Sequence, residues 1–210
     1  YKRQYGSTSA MQQVCLQIGK TIIQAVVNTQ GVSVMAAFTA VNRVDDFAYI
    51  PQQNIGHAMT TFIAQNKGAG KRERIRRGLQ SGIGIELVYG LILLVLMYFG
   101  AEKIMGLFTS QEDAQVVTLG KSYLHLVSWM YILPSITNGI QGFFRGMGDL
   151  KVTLYSTFMN MAGRVLAVIV MFLVFNLGFV SLAWANLIGW IVMLLFEIPL
   201  LMRQLKELRK

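Results

Sequence analysis

Four stretches of this sequence contain no Asp, Glu, Lys or Arg over 20 residues or more: 21–42, 47–66, 122–144 and 165–196. A helix that crosses a bilayer needs about 20 mostly apolar residues, so each stretch is long enough to cross once. The last stretch is too long for one crossing and is interrupted at 176–178, which predicts two helices joined by a tight turn. The chain is therefore predicted to be an integral membrane protein.

Together with a shorter apolar run around Glu86, these stretches predict six spans. The fold class is an all-α integral membrane protein, a bundle of six transmembrane helices, and Pro134 predicts a kink in the fourth span. The segment 42–46 (NRVDD) is predicted to be a short outer loop between the first two spans. The predicted limits of the spans are 11–41, 47–66, 78–100, 119–142, 152–175 and 181–202.

The basic residues fall mainly on one side of these spans. The stretch 65–78 (QNKGAGKRERIRRG) carries six of the 19 Lys and Arg residues, and the two termini and the loop 143–151 carry eight more. Only Arg43, Lys103 and Lys121 are placed on the opposite side. Because basic loops resist translocation across the membrane, both termini are predicted to be cytoplasmic.

Several function classes lack the residues they need. The net charge of +9 is explained as a topology signal, because no basic patch with stacking aromatic residues suggests a nucleic-acid partner. Cys15 is the only cysteine, which excludes a disulfide framework and a cysteine-based metal site. GAGK at 68–71 lacks the first glycine and the Ser/Thr of a nucleotide-binding loop. GMGD at 146–149 matches one half of an intramembrane aspartyl protease motif, but no second aspartate lies within a span. No enzyme activity and no cofactor are predicted.

Polar side chains within the spans are costly in lipid and usually face a bundle interior or an aqueous cavity. They recur at helical spacing in three spans and predict a shared hydrated cavity. The alternative is hydrogen bonding between helices in a packed bundle. For His57, a proton-relay role and a satisfied interior histidine both remain open. The main members of the three stripes are Gln24 and Asn28, then Gln53, Asn54 and His57, then Tyr131 and Asn138.

Arg164 is anomalous, because it lies roughly 20 Å along its helix from Lys151 and so near the middle of the membrane. Its candidate partners are Glu86 and Glu197. We favour a structural ion pair between Glu86 and Arg164. The alternative is partial snorkelling of the arginine with carbonyl partners.

Several segments resemble one transporter family. GVSVMAAFTAVNRVDDF (31–47) and GHAMTTFIAQNKGAGKRER (56–74) resemble the seventh and eighth helices of MATE (multidrug and toxic compound extrusion) transporters. IQGFFRGMGDLKVTLYST (140–157) resembles the loop after the tenth helix, and LGFVSLAWANLIGW (177–190) resembles the last helix. Arg164 falls where the eleventh helix carries an arginine. The resemblance covers essentially the whole chain in the expected order.

The resemblance implies one lobe of a twelve-helix antiporter built from two six-helix repeats. Residues 1–210 would form the C-terminal lobe, with the N-terminal lobe of the same transporter missing. Such transporters exchange cationic or amphipathic organic compounds for H⁺ or Na⁺ across the plasma membrane, here a bacterial inner membrane. The resemblance predicts a substrate cavity lined by Gln24, Asn28, Gln53, Asn54, His57, Tyr131, Asn138 and Gln141.

The seventh and tenth helices carry no acidic residue in this sequence, although some family members bind the coupling ion there. The coupling ion is therefore predicted to bind in the missing lobe, with this lobe providing a neutral wall. One alternative is a flippase for lipid-linked substrates from the same superfamily, which would need cationic cavity residues such as Lys20 and Arg164. Another alternative is a non-transporting membrane fragment.

Overall fold

The computed structural model describes residues 2–108, 114–175 and 178–209, and these residues are almost entirely helical. The all-α prediction is confirmed. The helices are α1 (Lys2–Asn28), α2 (Val32–Gly68), α3 (Arg72–Phe108), α4 (Ala114–Met130), α5 (Ile132–Gly146), α6 (Leu150–Ile169) and α7 (Ser181–Arg209), and a π-helical turn (Val170–Val174) extends α6.

Three of these helices are long and apolar enough to cross a membrane by length and composition, within the described part of the chain. They are Arg72–Phe108, Leu150–Phe172 and Ser181–Leu208. At about 1.5 Å per residue, the 37 residues of α3 extend well beyond a hydrocarbon core of about 30 Å. The number of six spans and the cytoplasmic position of the termini stay predictions.

The predicted outer loop at 42–46 is wrong. The first turn instead lies at 29–31, where Gly31 has a φ of 97° that favours glycine, and α2 runs through 42–46 without a break. Helix α2 therefore runs across the predicted limits of the first two spans at 41 and 47. The basic stretch 65–78 is also mostly helical, because only a tight turn around Gly70 separates α2 from α3.

The kink predicted at Pro134 is confirmed. The predicted fourth span consists of two helices, α4 and α5, which meet at Tyr131. Proline has no N–H to donate to the carbonyl group four residues earlier, so the helical hydrogen-bond ladder is interrupted near Met130. The predicted turn at 176–180 lies partly outside the described residues, and α7 begins at Ser181 as predicted.

Helix α2 lies at the centre of one half of the bundle, where it packs against α3, α4 and α5, while α6 packs against α1 and α7. The contact between α2 and α5 is close because it contains glycine on both sides. A Cβ atom at Gly142 would lie 2.7 Å from the backbone oxygen of Gly56. Nearby, the buried side chains Ile63, Phe143 and Phe144 fill the space between the helices.

This close approach predicts that Gly142→Ala destabilises the protein. The added methyl group meets backbone atoms that cannot rotate away, and such overpacking costs about 1–3 kcal/mol. Gly84→Ala is the matched control, because a Cβ atom there would have nothing within 4 Å. Thermal unfolding in detergent is expected to show a lower Tm for Gly142→Ala only, and equal Tm values would contradict the packing described here.

Candidate functional site

One side of α1 and α2 carries a continuous set of polar side chains, which we call the α1–α2 face. It comprises Lys20, Gln24, Asn28, Arg43, Asp46, Gln53, Asn54 and His57, and all of them are exposed except Gln24, which is half-buried. Most of them are three, four or seven residues apart, which places them along one side of each helix. The predicted cavity residues of α1 and α2 therefore lie on one surface.

An ion pair joins the two helices across this face. Lys20 Nζ lies 3.6 Å from Asp46 Oδ1, and the two side chains are 57% and 66% exposed. Lys20 is eight residues from the end of α1, or roughly 12 Å, and Asp46 is about 21 Å into α2. Charged groups at such depth are costly against lipid. The α1–α2 face is therefore suited to a hydrated space.

The other predicted cavity residues lie elsewhere. Tyr131 is fully buried and Gln141 is 6% exposed, so neither belongs to the α1–α2 face. Asn138 is half-buried, and its backbone oxygen lies against Gly56 of α2. Tyr131 and Gln141 therefore lie apart from the other predicted cavity residues in this structure, and the cavity itself stays a prediction.

Gln141 belongs to a network inside the bundle. Its Oε1 accepts a hydrogen bond of 2.8 Å from Arg145 Nη2, and its Nε2 donates to Ser156 Oγ at 3.3 Å. Gln12 Nε2 donates to Thr157 Oγ1 at 2.7 Å and so connects α1 to the same region of α6. The network links α1, α5 and α6. Gln141 thus follows the alternative stated above, in which polar residues form hydrogen bonds between helices of a packed bundle.

Tyr131 donates a hydrogen bond to Asp45 in a buried group that we call the aspartate–tyrosine cluster, formed by Asp45, Tyr49, Tyr123, Tyr131 and Asn186. Asn186 Nδ2 of α7 donates to Tyr123 Oη of α4 at 2.7 Å. The ring centroids of Tyr49 and Tyr131 are 5.8 Å apart. Asp45 is 8% exposed and immediately precedes Asp46 of the α1–α2 face. The cluster therefore lies directly behind that face.

The ion pair predicted between Glu86 and Arg164 is wrong in this structure. Neither carboxylate oxygen of Glu86 has a hydrogen-bond partner among the described residues. The positive charge of Arg164 acts instead on Asp45, Tyr49 and Tyr123. The stem of Arg164 packs on Gly189 of α7, where a Cβ atom would lie 2.3 Å from its Cγ. Arg164 is thus a cation beside the aspartate–tyrosine cluster.

Sequence reasoning missed Asp45, because the acidic pair was assigned to a loop. The sequence does contain a pattern that indicates a continuous helix through Asp45. Small or apolar residues recur at helical spacing straight through the segment, and the side chains that α2 buries there include Ala37, Val41, Val44, Asp45, Ala48 and Gln52. A stripe with this period continues only if the helix continues. Within the described ranges, no group of three or more His, Cys, Asp or Glu residues could hold a metal ion.

Comparison with known proteins gives a consistent family signal. The family model described as MatE matches residues 9–173. "Probable multidrug resistance protein YoeA" of Bacillus subtilis (strain 168) is 24% identical over 145 residues, which are 69% of this chain and 31% of that protein. "Probable multidrug resistance protein NorM" of Rhizobium meliloti (strain 1021) is 26% identical over 69% of this chain and 32% of its own length. The chain spans about a third of the length of these curated relatives.

Solved structures share the fold. The chain described as "Crystal structure of MATE in complex with MaL6" aligns with a TM-score of 0.89 at 20% identity, over 97% of this chain and 46% of that one. A MOP superfamily transporter from Pyrococcus furiosus, described as having a binding pocket of reverse polarity, aligns with a TM-score of 0.86 at 16% identity, over 93% of this chain and 43% of that one. These alignments support the helical arrangement alone.

The aspartate–tyrosine cluster predicts a specific loss on Tyr131→Phe. The substitution removes the hydroxyl group that donates to the buried Asp45, and a hydrogen bond to a charged group contributes about 1.5–3 kcal/mol. Tyr155→Phe is the matched control, because Tyr155 is 58% exposed. Thermal unfolding should show a lower Tm for Tyr131→Phe and little change for Tyr155→Phe. A similar Tm for both variants would argue against the buried contact.

Proposed function

The chain belongs to the MatE family, and on that premise we propose that it is the C-terminal six-helix lobe of a secondary antiporter. The antiporter exports cationic or amphipathic organic compounds in exchange for H⁺ or Na⁺. The curated relatives are named as probable multidrug resistance proteins and are about three times as long as the region they share with this chain. We propose that an N-terminal lobe forms the other half in a bacterial inner membrane.

The observation that carries this proposal is the exposed ion pair between Lys20 and Asp46 at depth in the bundle. A charged surface in this position needs water and cannot remain against lipid at low cost. A second lobe facing the α1–α2 face would enclose a hydrated cleft. Such a cleft between two repeats is the usual place for a substrate in secondary transporters.

The chemistry of the face suits amphipathic compounds. Gln53, Asn54 and His57 offer neutral donors and acceptors, and Phe47 and Ile50 are exposed beside them at 67% and 53%. Neutral amides combined with apolar side chains can bind several organic compounds without a fixed ion pair. We propose that this face forms one wall of the substrate cavity.

The proposed position of the coupling ion also changes. The prediction of an ion site in the missing lobe rested on the absence of an acidic residue from the seventh and tenth helices. Asp45 lies on α2 and is a buried carboxyl group directly behind the α1–α2 face. We therefore propose Asp45 as a cation-binding group of this lobe, held in place by Tyr131 and with Arg164 nearby.

A flippase for lipid-linked anionic substrates remains the second candidate, because the structure adds one observation in its favour. Arg43 was assigned to an outer loop but lies exposed on the α1–α2 face with Lys20. Two cations and one carboxylate on this surface give it a small positive excess. A lipid pyrophosphate would require such cations.

The decisive experiment uses the full-length transporter and measures ethidium efflux from cells or proteoliposomes. Gln53→Leu removes one amide from the α1–α2 face, and loss of one hydrogen bond of about 1 kcal/mol should weaken ethidium recognition about fivefold. Gln80→Leu is the matched control, because Gln80 is an exposed amide on α3. Absence of efflux by the wild type, with transfer of a fluorescent lipid pyrophosphate instead, would favour the flippase.

A second prediction concerns coupling. Asp45→Asn keeps the shape of the side chain and its contact with Tyr131 but cannot bind and release a cation through a carboxylate. Efflux driven by a proton or sodium gradient should therefore fall at least about tenfold, which corresponds to about 1.4 kcal/mol. Asp149→Asn is the control, since Asp149 lies in the turn between α5 and α6. Gradient-driven efflux that persists in Asp45→Asn would return the ion site to the other lobe.

A further inference from the structure

Glu86 is a buried acid that the proposed cavity does not use. Its side chain is 0% exposed, and neither carboxylate oxygen has a hydrogen-bond partner in the described structure. It lies roughly 21 Å along α3 from Arg72 and thus within the apolar part of that helix. An ionisable residue at such a position is costly and usually functional.

Neighbouring glycines show which way Glu86 faces. Gly82, Glu86 and Gly90 lie on successive turns of one side of α3. A Cβ atom at Gly82 would lie 2.3 Å from Met59 Sδ of α2, and one at Gly90 would lie 2.5 Å from Ser135 Oγ of α5. Glu86 therefore lies between these two contacts, in a junction of three helices that we call the α2–α3–α5 seam.

The seam contains unpaired acceptors. Gln52 Nε2 donates to Ser135 Oγ at 2.7 Å. Gln52 Oε1 and both carboxylate oxygens of Glu86 have no hydrogen-bond partner among the described residues. The neighbouring titratable group on α3 is Tyr89, whose hydroxyl already donates to Ala48 O at 3.1 Å. A carboxylate in this seam would have neither a cation nor a donor to compensate for its burial.

Charged groups on the remaining neighbours of α3 form no ion pair with Glu86 among the described residues. Helix α4 contacts α3 through Lys121, which pairs with Glu102 at 2.7 Å, and through His125, which stacks on Tyr98. The buried acid of α7, Glu197, interacts electrostatically with Arg145 of α5. No ion pair to Glu86 is found among the described residues. A proton is the smallest species that would neutralise this group in a packed seam.

We propose that Glu86 is a proton-binding site of this lobe, separate from Asp45. A carboxylate oxygen holds the proton while the α2–α3–α5 seam is packed as in this structure. When the seam opens to water, the proton leaves to water and the carboxylate becomes hydrated. The use of this proton in transport rests on the proposed function, whereas its binding does not.

The bend between α4 and α5 connects this site to the aspartate–tyrosine cluster. The hydroxyl group of Tyr131 donates to Asp45, while its backbone oxygen lies 3.4 Å from the Cβ position of Gly90, one turn from Glu86. A helix interrupted at Tyr131 can change its angle with few broken hydrogen bonds. Movement of this bend would alter the surroundings of both acids together.

Infrared spectroscopy of the full-length transporter tests proton binding directly. The carbonyl stretch of a protonated carboxyl group is expected in the wild type near neutral pH and is expected to be lost in Glu86→Gln. Glu73→Gln provides an exposed control on the same helix, and Glu197→Gln provides a buried one. Both controls should keep the Glu86 band.

If Glu86→Gln fails to fold, Glu86→Asp should shift the band in frequency. A spectrum that is the same in wild type and in the Glu86 variants would overturn the proposal.

Proton-driven efflux then tests whether the proton is used in transport. Ethidium efflux driven by a pH gradient should be lost in Glu86→Gln and kept in Glu73→Gln, while ethidium binding measured by fluorescence anisotropy stays unchanged. Undiminished efflux by Glu86→Gln would overturn the transport role. If the wild type shows no efflux, the proposed function fails, and the infrared band still decides whether Glu86 binds a proton.

Discussion

The backbone contact between Gly56 and Gly142 places α2 against α5, and the polar arrangement of the lobe depends on this distance. It brings Gln52 to Ser135 and Asp45 to Tyr131, two hydrogen bonds that span more than eighty residues of sequence. It also closes the seam over Glu86. A side chain at Gly142 would push the helices apart, because the nearest atoms that it meets are backbone atoms of Gly56.

The polar groups of the lobe therefore fall into two layers with different physical constraints. The α1–α2 face is exposed and carries an ion pair, so it is compatible only with water or with another polar surface. The aspartate–tyrosine cluster and the α2–α3–α5 seam are largely buried, so each polar atom there needs a partner or must be neutral. In the proposed transporter, a substrate would contact the exposed layer and a small cation would bind in the buried one.

Individual residues show what helical spacing can and cannot indicate. Gln24, Asn28, Gln53, Asn54 and His57 were predicted because polar residues recur at helical spacing along an otherwise apolar helix. The structure places them on one surface, and their role in a substrate cavity stays a prediction. Tyr131 and Gln141 follow the same pattern but point into the bundle, since periodicity identifies a side of a helix and not what that side faces. Asp45 was lost when a pair of adjacent acids was taken as evidence for a loop.

Hydropathy and helical periodicity in the sequence determined the helical class, a single proline indicated the bend at Pro134, and the resemblance of continuous segments to known motifs indicated the family. Each of these properties depends on residues that are close in sequence. The length of the apolar runs indicates the helices, the missing N–H of proline indicates the bend, and motifs in continuous segments indicate the family. Only the tertiary structure decided that Arg164 acts on Asp45 and that Glu86 is left without a cation. Partner choice between buried charges depends on how helices are rotated and spaced, and close packing at glycines such as Gly82, Gly90 and Gly189 sets both.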